Sequence, residues 1–383
     1  MSTSTELMPI TPSIVTWARS RAGFSIGEAE KIFRKISQWE SGETLPTYPQ
    51  LEQLSEKFKV PVAVFFFPEA PDVPAIDETF RTLSEDDLNN IPAKIRLLLR
   101  KASAMQINLA ELNDGINPAK NLITRDFTFS TDQELSVLAN ELRDYLGITI
   151  EEQFSWGSTE DALENWRQVL TEHGIYVFKD AFREESFYGF CLYDESFPII
   201  YVNNSSAKTR QIFTIFHELA HLLFHTSGID VVDDAYINTL PENNRKIEVA
   251  CNRFAAQFLV PENSLNHELR ELPPNRDTAA LLAGKYKVSR EVIYRKLMDR
   301  GLISNREYSS AVASWNSNQG KRTSPGGNYY YSQLAYLGKN YVGLAFEKFY
   351  QNRFDIVQLA DYLNITPKNV HTFEDQYLKV SIK

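Results

Sequence analysis

An apolar run extends from Ile212 to Phe224, broken only by Thr214 and by the three ionisable residues His217, Glu218 and His221. A run of this length with that centre reads as one buried helix, and buried ionisable groups need a partner or a metal. At about 1.5 Å rise and 3.6 residues per turn, His217 and His221 stand roughly 6 Å apart on one helical face. There two imidazoles can close on one tetrahedral zinc ion at about 2.0–2.1 Å each. Glu218, one position on, sits beside such a metal rather than on it. That offset suits a general base, which takes a proton from a water whose acidity the metal raises. The HExxH pentad thus points to zinc-dependent peptide hydrolysis. The string also arises by chance in unrelated proteins, so its neighbours decide.

A catalytic zinc takes three protein ligands and keeps a fourth position open. Glu248 is the leading third donor, 27 positions after His221, in a second strongly apolar helical segment that runs to Val260. Asn252 follows one turn later on the same face, where it can hydrogen-bond a ligating histidine and fix its tautomer. His225 is the rival, at i+4 from His221. It lies about 12 Å along the axis from His217, too far for the two to share one ion on a straight helix. His173, His267 and His371 have no partner at ligand spacing. A shared metal would also account for the two otherwise costly buried carboxylates, Glu218 and Glu248.

Composition narrows the setting. The 383 residues exceed one ordinary core and imply two or three domains. A hydrophobic fraction of 43% with 23% charged residues is that of a globular protein. The net charge of −10 gives no global attraction to nucleic acid or anionic membranes. Two distant cysteines, Cys191 and Cys251, cannot build a disulfide scaffold or an all-cysteine zinc site, which fits a reducing compartment. The start, Met1 to Pro12, has no signal-like pattern and no apolar run reaches about 18 residues, so a cytoplasmic location is expected.

Along the chain, Thr11 to Phe67 shows short amphipathic helices, and a proline-rich stretch from Pro68 to Pro74 reads as a linker or extended arm. Helical periods follow over 92–112, 132–146 and Ala162 to Gly174. Ile175 to Phe178 is β-rich, and Gly189–Tyr193 with Pro198–Asn203 suggests a hairpin. An exposed strand near Ile199 to Val202, beside a zinc cleft, is expected to hold a peptide by main-chain pairing.

The residues Phe213-Thr214-Ile215-Phe216-His217-Glu218-Leu219-Ala220-His221, with Glu248-Val249-Ala250-Cys251-Asn252-Arg253-Phe254-Ala255 and Leu259-Val260-Pro261, resemble the ImmA/IrrE family of bacterial zinc metallopeptidases. Cys251 stands where the family pattern has alanine, a small-for-small change. The resemblance implies a gluzincin-like site with His217, His221 and Glu248 on zinc and Glu218 as base. It implies as substrate a cognate helix-turn-helix repressor, whose cleavage relieves transcription of stress, DNA-damage or mobile-element genes.

Trp17–Gly23, Trp39–Thr47 and Val60–Pro68 resemble the XRE-type helix-turn-helix fused to longer members, and Phe80-Arg81-Thr82-Leu83 a further signature of theirs. Between Ala29 and Trp39 the chain is several residues shorter than that domain, where a turn and the start of the recognition helix belong. Within residues 1–60 seven Lys and Arg are matched by seven Glu, against the cationic surplus that phosphate contact needs. DNA remains a candidate partner beside a docking role. Segments 279–297 and 356–370 repeat a helix, turn, helix rhythm, the first of them basic. Residues 317–328 read as a loop, and Tyr329-Tyr330-Tyr331 after it, which could stack on bases, are expected instead to pack against the following helix.

The reading is an α+β protein, mostly helical, with a small sheet beside the HExxH helix and helical domains on either side. Its expected parts are a shortened helix-turn-helix domain over 1–70, a linker and helical region over 71–160, a zinc metallopeptidase domain over 161–265 and a helical region over 266–383. The expected activity is that of a zinc metalloendopeptidase. The alternative is a DNA-binding regulator or an antitoxin-like or phage-defence component in which the zinc fold is a sensor or scaffold.

Overall fold

The computed structural model describes residues 7–22, 24–58, 60, 62–70, 91–184, 186–231, 240–317 and 328–381. The Phe80–Leu83 signature and most of the 317–328 loop lie outside them, as does the proline-rich arm beyond Ala70. The described residues form two compact units, one up to Lys101 and one from Ala102 onward. None of their helices is long and apolar enough to cross a membrane.

The first unit holds α1 (Pro12–Arg21), α2 (Ile26–Glu30), α3 (Ile36–Ser41), α4 (Tyr48–Phe58) and a 3-10 turn, Val62–Phe66. Pro12 opens α1, where its missing N–H costs nothing. A capping box between Ser25 and Glu28 starts α2, and Gly42 at φ 75° ends α3. Ile14, Val15, Trp39, Leu51, Leu54 and Phe58 make its core. The shortened interval after Ala29 does hold a turn, Lys31–Lys35. The helices on either side are correspondingly short, five and six residues. Arg19 binds Glu40 of α3 through two hydrogen bonds, at 2.6 and 3.1 Å.

The helix α5 (Ala93–Leu112) bridges the sequence into the second unit, where α6 (Ile123–Asp126), α7 (Leu135–Leu146), α8 (Ile150–Ser155) and α9 (Thr159–Glu172) precede the sheet. The sheet contains β1 (Tyr176–Asp180), β2 (Phe187–Leu192) and β3 (Ile199–Asn203). The HExxH helix α10 (Lys208–Leu223) follows, then β4 (Ile229–Val231) and the long α11 (Glu242–Leu259). The unit continues with α12 (Glu262–Glu268), α13 (Arg276–Tyr286), α14 (Arg290–Asp299), α15 (Asn305–Ser317), α16 (Tyr329–Leu337), α17 (Lys339–Tyr350), α18 (Ile356–Tyr362) and α19 (Val370–Ser381). The architecture is α+β, mostly helical. The tyrosines 329–331 form the first turn of α16 itself rather than a patch lying on it.

Strand order is β1-β3-β2-β4, with β1 parallel to β3 and the other pairs antiparallel. The hairpin is present, but the expectation of an exposed strand at Ile199 to Val202 is overturned. Strand β3 is central and every one of its residues is buried. The β2–β3 hairpin leaves the far edge of β3 free, and β1, apolar from Tyr176 to Phe178, takes it. Both faces are then covered, which is why these strands read as continuous apolar runs rather than alternating ones. Val177, Ile200 and Val202 face the helical core, whereas the Phe178 ring meets Tyr341 of α17 edge-on. The edge on the HExxH side is β4, which pairs only with β2 among the described strands.

Helix α10 runs through the centre, buried at every residue from Thr214 to Leu223. It approaches the sheet closely because β2 offers Gly189, where a Cβ would stand 2.4 Å from the Thr214 methyl. Phe216 of α10 stacks on Phe258 of α11 with ring centroids 4.3 Å apart, and Trp166 of α9 closes on both. A buried polar pair fixes the far end of α11. Arg143 donates to the carbonyls of Ile148 and Phe258 and to Gln153 Oε1, and Gln153 donates to the carbonyls of Leu259 and Tyr286. The last carbonyls of α11, which no helical N–H can reach, are satisfied this way.

Candidate metal centre

Helix α10 projects His217 and His221 to one side, and α11 delivers Glu248 to them from its second turn. That helix begins at Glu242, six residues ahead of the carboxylate. The two Nε2 atoms lie 3.2 Å apart, and the Glu248 carboxylate oxygens lie 3.4 Å from that of His217 and 3.2 Å from that of His221. One ligand atom from each residue falls within 4.8 Å of the others. Four-coordinate zinc with bonds of 2.0–2.1 Å would space its donors by roughly 3.3 Å, so the cluster has the dimensions of a metal site. Its chemistry agrees. Asn252 Oδ1 lies 3.1 Å from His217 Nδ1 and accepts its proton, which leaves the Nε2 lone pair turned towards His221 and Glu248. Lone pairs packed so closely repel unless a cation or a proton stands among them.

Burial is nearly complete: His217 is 2% exposed, His221 and Glu218 0%, and Glu248 8%. Glu218 lies next to the cluster without joining it. Among the described residues neither of its carboxylate oxygens has a regular hydrogen bond, and the weak thiol of Cys191 lies beside it. Burial pushes the Glu218 pKa up to about 7 against the pull of His221 and His217. Burial alone would lower His217, yet Asp230, Glu248 and Glu218 together hold it at about 9. Glu248 goes the other way. Despite its burial, the two histidines keep it well below the usual carboxylate range. Burial and the Glu218 charge raise the Cys191 thiol, which therefore stays protonated at neutral pH.

The five residues singled out in the sequence thus stand in one place, and the rival does not. His225 falls after α10 has ended, at φ 56°, and its Nε2 donates to the Thr124 carbonyl at 3.1 Å. Four other residues contribute that no spacing announced. Thr226 places its hydroxyl 3.5 Å from His221 Nδ1. Asp230 on β4 accepts from Thr214 at 2.8 Å and from Arg210 at 3.2 Å, joining the edge strand to the HExxH helix. Gly228 runs its backbone over the His221 ring, where a Cβ would come within 2.6 Å. Cys191, the last of the four, comes from the second half of β2. A charged residue in a short apolar strand is the only sequence signal any of them gives, and it marks Asp230 alone.

An HExxH helix laid on a small sheet, with a carboxylate brought to its histidines by the next long helix, is the arrangement of a metallopeptidase domain. Comparison with known proteins agrees. Residues 170–298 match the Peptidase_M78 family, described as an IrrE N-terminal-like domain. Over 99 residues the chain is 32% identical to the radiation response metalloprotease IrrE of Deinococcus radiodurans, a stretch that covers 25% of this chain and 30% of that protein. The chain therefore spans less than a third of the length of this curated relative. Among solved structures, a Mycobacterium tuberculosis transcriptional regulator aligns with 43% of this chain and 46% of its own, at 18% identity and a TM-score of 0.30. A likeness that distant says nothing about the site.

Proposed function

We propose that this chain is a zinc-dependent endopeptidase that cuts a cognate protein, a transcriptional repressor of the helix-turn-helix type, and thereby relieves repression. The observation that carries the reading is the convergence of His217, His221 and Glu248 on one point, with the carboxylate of Glu218 buried beside it and without a regular hydrogen bond among the described residues. A zinc ion held by His217 Nε2, His221 Nε2 and Glu248 would supply Lewis acidity to a water and to the scissile carbonyl. Glu218 accepts the proton of that water on a carboxylate oxygen and passes it to the departing amine nitrogen. Burial raises the pKa of this carboxylate in the metal-free site to about 7, which opposes the pull of an adjacent cation and suits a group that must both take up and release a proton. Asn252 and Thr226 hold the two imidazoles in register. Strand β4, with one edge unpaired among the described strands, can align an extended peptide by main-chain hydrogen bonds. The repressor as substrate rests on the family resemblance of the motif residues.

The test is Glu218→Gln, assayed on a small helix-turn-helix repressor encoded beside the gene. Cleavage should vanish while one zinc per chain is retained. A variant that still cleaves, or still relieves repression in cells as the wild type does, sinks the peptidase reading.

A further inference from the structure

A cavity of about 910 Å³ in the second unit lies apart from the metal cluster. It is a groove on the flank of α11, walled by Thr131 to Gln133 ahead of α7, by the first turn of α7 and by α14. Helix α11 presents Arg245, Val249 and Arg253 to it at four-residue intervals. This stripe lies roughly 60–140° around the helix axis from Glu248, so one helix supplies both the third donor of the metal site and the wall of the groove.

The charge of the groove runs against that of the chain. Its lining carries five cations against three acids, a surplus of two in a molecule of net charge −10. Part of the surplus is already engaged: Glu262 alone serves both Lys296, at 2.7 Å, and Arg300. Arg245 and Arg253 are exposed and make no side-chain hydrogen bond or ion pair among the described residues. Between them Val249 is 38% exposed, and Leu135 adds to an apolar floor.

We infer that this groove docks an extended acidic segment of the protein substrate, with Arg245 and Arg253 each holding a carboxylate and Val249 seating an apolar side chain between them. Calling the partner a substrate rests on the peptidase reading; the docking itself does not. The two arginines are eight residues apart, about 12 Å along the helix, a distance an extended chain covers in three to four residues at about 3.3 Å each. Guanidinium groups hold carboxylates in a planar, two-bonded fork. A nucleic acid fits worse, because the acids in the groove and the net charge of the chain both repel a continuous phosphate backbone.

The test uses the full-length, zinc-loaded chain in a Glu218→Gln background, so that the probe is not consumed. The probe is a fluorescein-labelled twelve-residue peptide with glutamates four positions apart and leucine between them. Its anisotropy is compared with that of the same peptide carrying glutamines. The glutamate peptide should bind more tightly, and Arg245→Glu with Arg253→Glu should weaken it by at least roughly tenfold. Zinc content should stay unchanged, since both side chains are exposed. Equal binding of the two peptides overturns the proposal, as does a loss of less than about twofold on charge reversal. So does tighter binding of a twelve-nucleotide single strand that the same variants abolish. Binding is read without hydrolysis, so failure of the peptidase reading leaves this result standing.

Discussion

Two imidazole nitrogens and a carboxylate at 3.2–3.4 Å from one another need positive charge among them. Without a metal the charge is a proton, and the surrounding acids hold His217 at about 9 to keep it. Metal uptake near pH 7.5 must therefore displace that proton. Affinity should rise about tenfold per pH unit towards 9, with close to one proton released per ion. Titration calorimetry in two buffers of different ionisation enthalpy measures the release, and a value near zero contradicts the assignment. The same shifts set how metal-free stability depends on pH. The raised His217 contributes fully below its ordinary 6.5 and loses its contribution as pH climbs through 9. The lowered Glu248 contributes above its ordinary 4.5 and loses its contribution on acidification. Glu218, raised to about 7, weakens the fold as pH climbs from 4.5 to 7. Gly228 allows a second test. Gly228→Ala should push the His221 ring aside and lower zinc affinity by at least roughly tenfold in chelator competition. Gly284→Ala, whose Cβ would meet nothing within 4 Å, should leave it unchanged. His217, Glu218, His221, Glu248 and Asn252 were legible in the sequence because a helical period converts spacing into a shared face. Thr226 and Gly228 were not, because a loop and the register of β4 bring them to the site.

Among the elements, α11 is held at both ends by different physics. Its beginning is pinned at the cluster through Glu248, and its end by Arg143 and Gln153, whose amide and guanidinium groups take up the carbonyls of Phe258 and Leu259. Arg143 also lies over the Phe258 ring, 4.8 Å from its centroid. Arg143→Met would keep most of that apolar contact and leave several buried acceptors without donors. It should cost about 2–4 kcal/mol in urea unfolding, and Arg143→Lys should recover only a part because an ammonium cannot span the same acceptors. A loss within about 0.5 kcal/mol would mean that water satisfies the carbonyls instead. Neither residue was visible in the sequence as a structural bolt, since the partners of Arg143 stand up to 115 positions away. The sheet shows the same limit. The hairpin was readable from its apolar runs and turn, but the place of β3 between β1 and β2 depends on a parallel pairing that local pattern does not encode. The edge that matters is β4, three residues long and too short to carry a period of its own.

For the molecule as a whole, the division after Lys101 separates a small helical unit from the unit that carries the cluster. Among the described residues, His217, His221 and Glu248 form the group with metal-ligand geometry, and all three lie in the second unit. Each unit has its own apolar core, so heating should give two transitions rather than one. An ion that binds only the folded second unit stabilises it by RT ln(1 + [M]/Kd), about 4 kcal/mol at a thousandfold excess over Kd. Chelation should thus lower the melting temperature of the larger transition by on the order of 5–10 °C. The smaller transition should hold its position. Differential scanning calorimetry with and without EDTA reads both at once, and tryptophan substitution identifies them: Trp39 is buried in the first core and Trp166 in the second. A single transition that shifts as a block would show that the two cores unfold together. Two transitions, neither of which responds to the chelator, would remove the metal from the second unit and the chemistry of Glu218 with it.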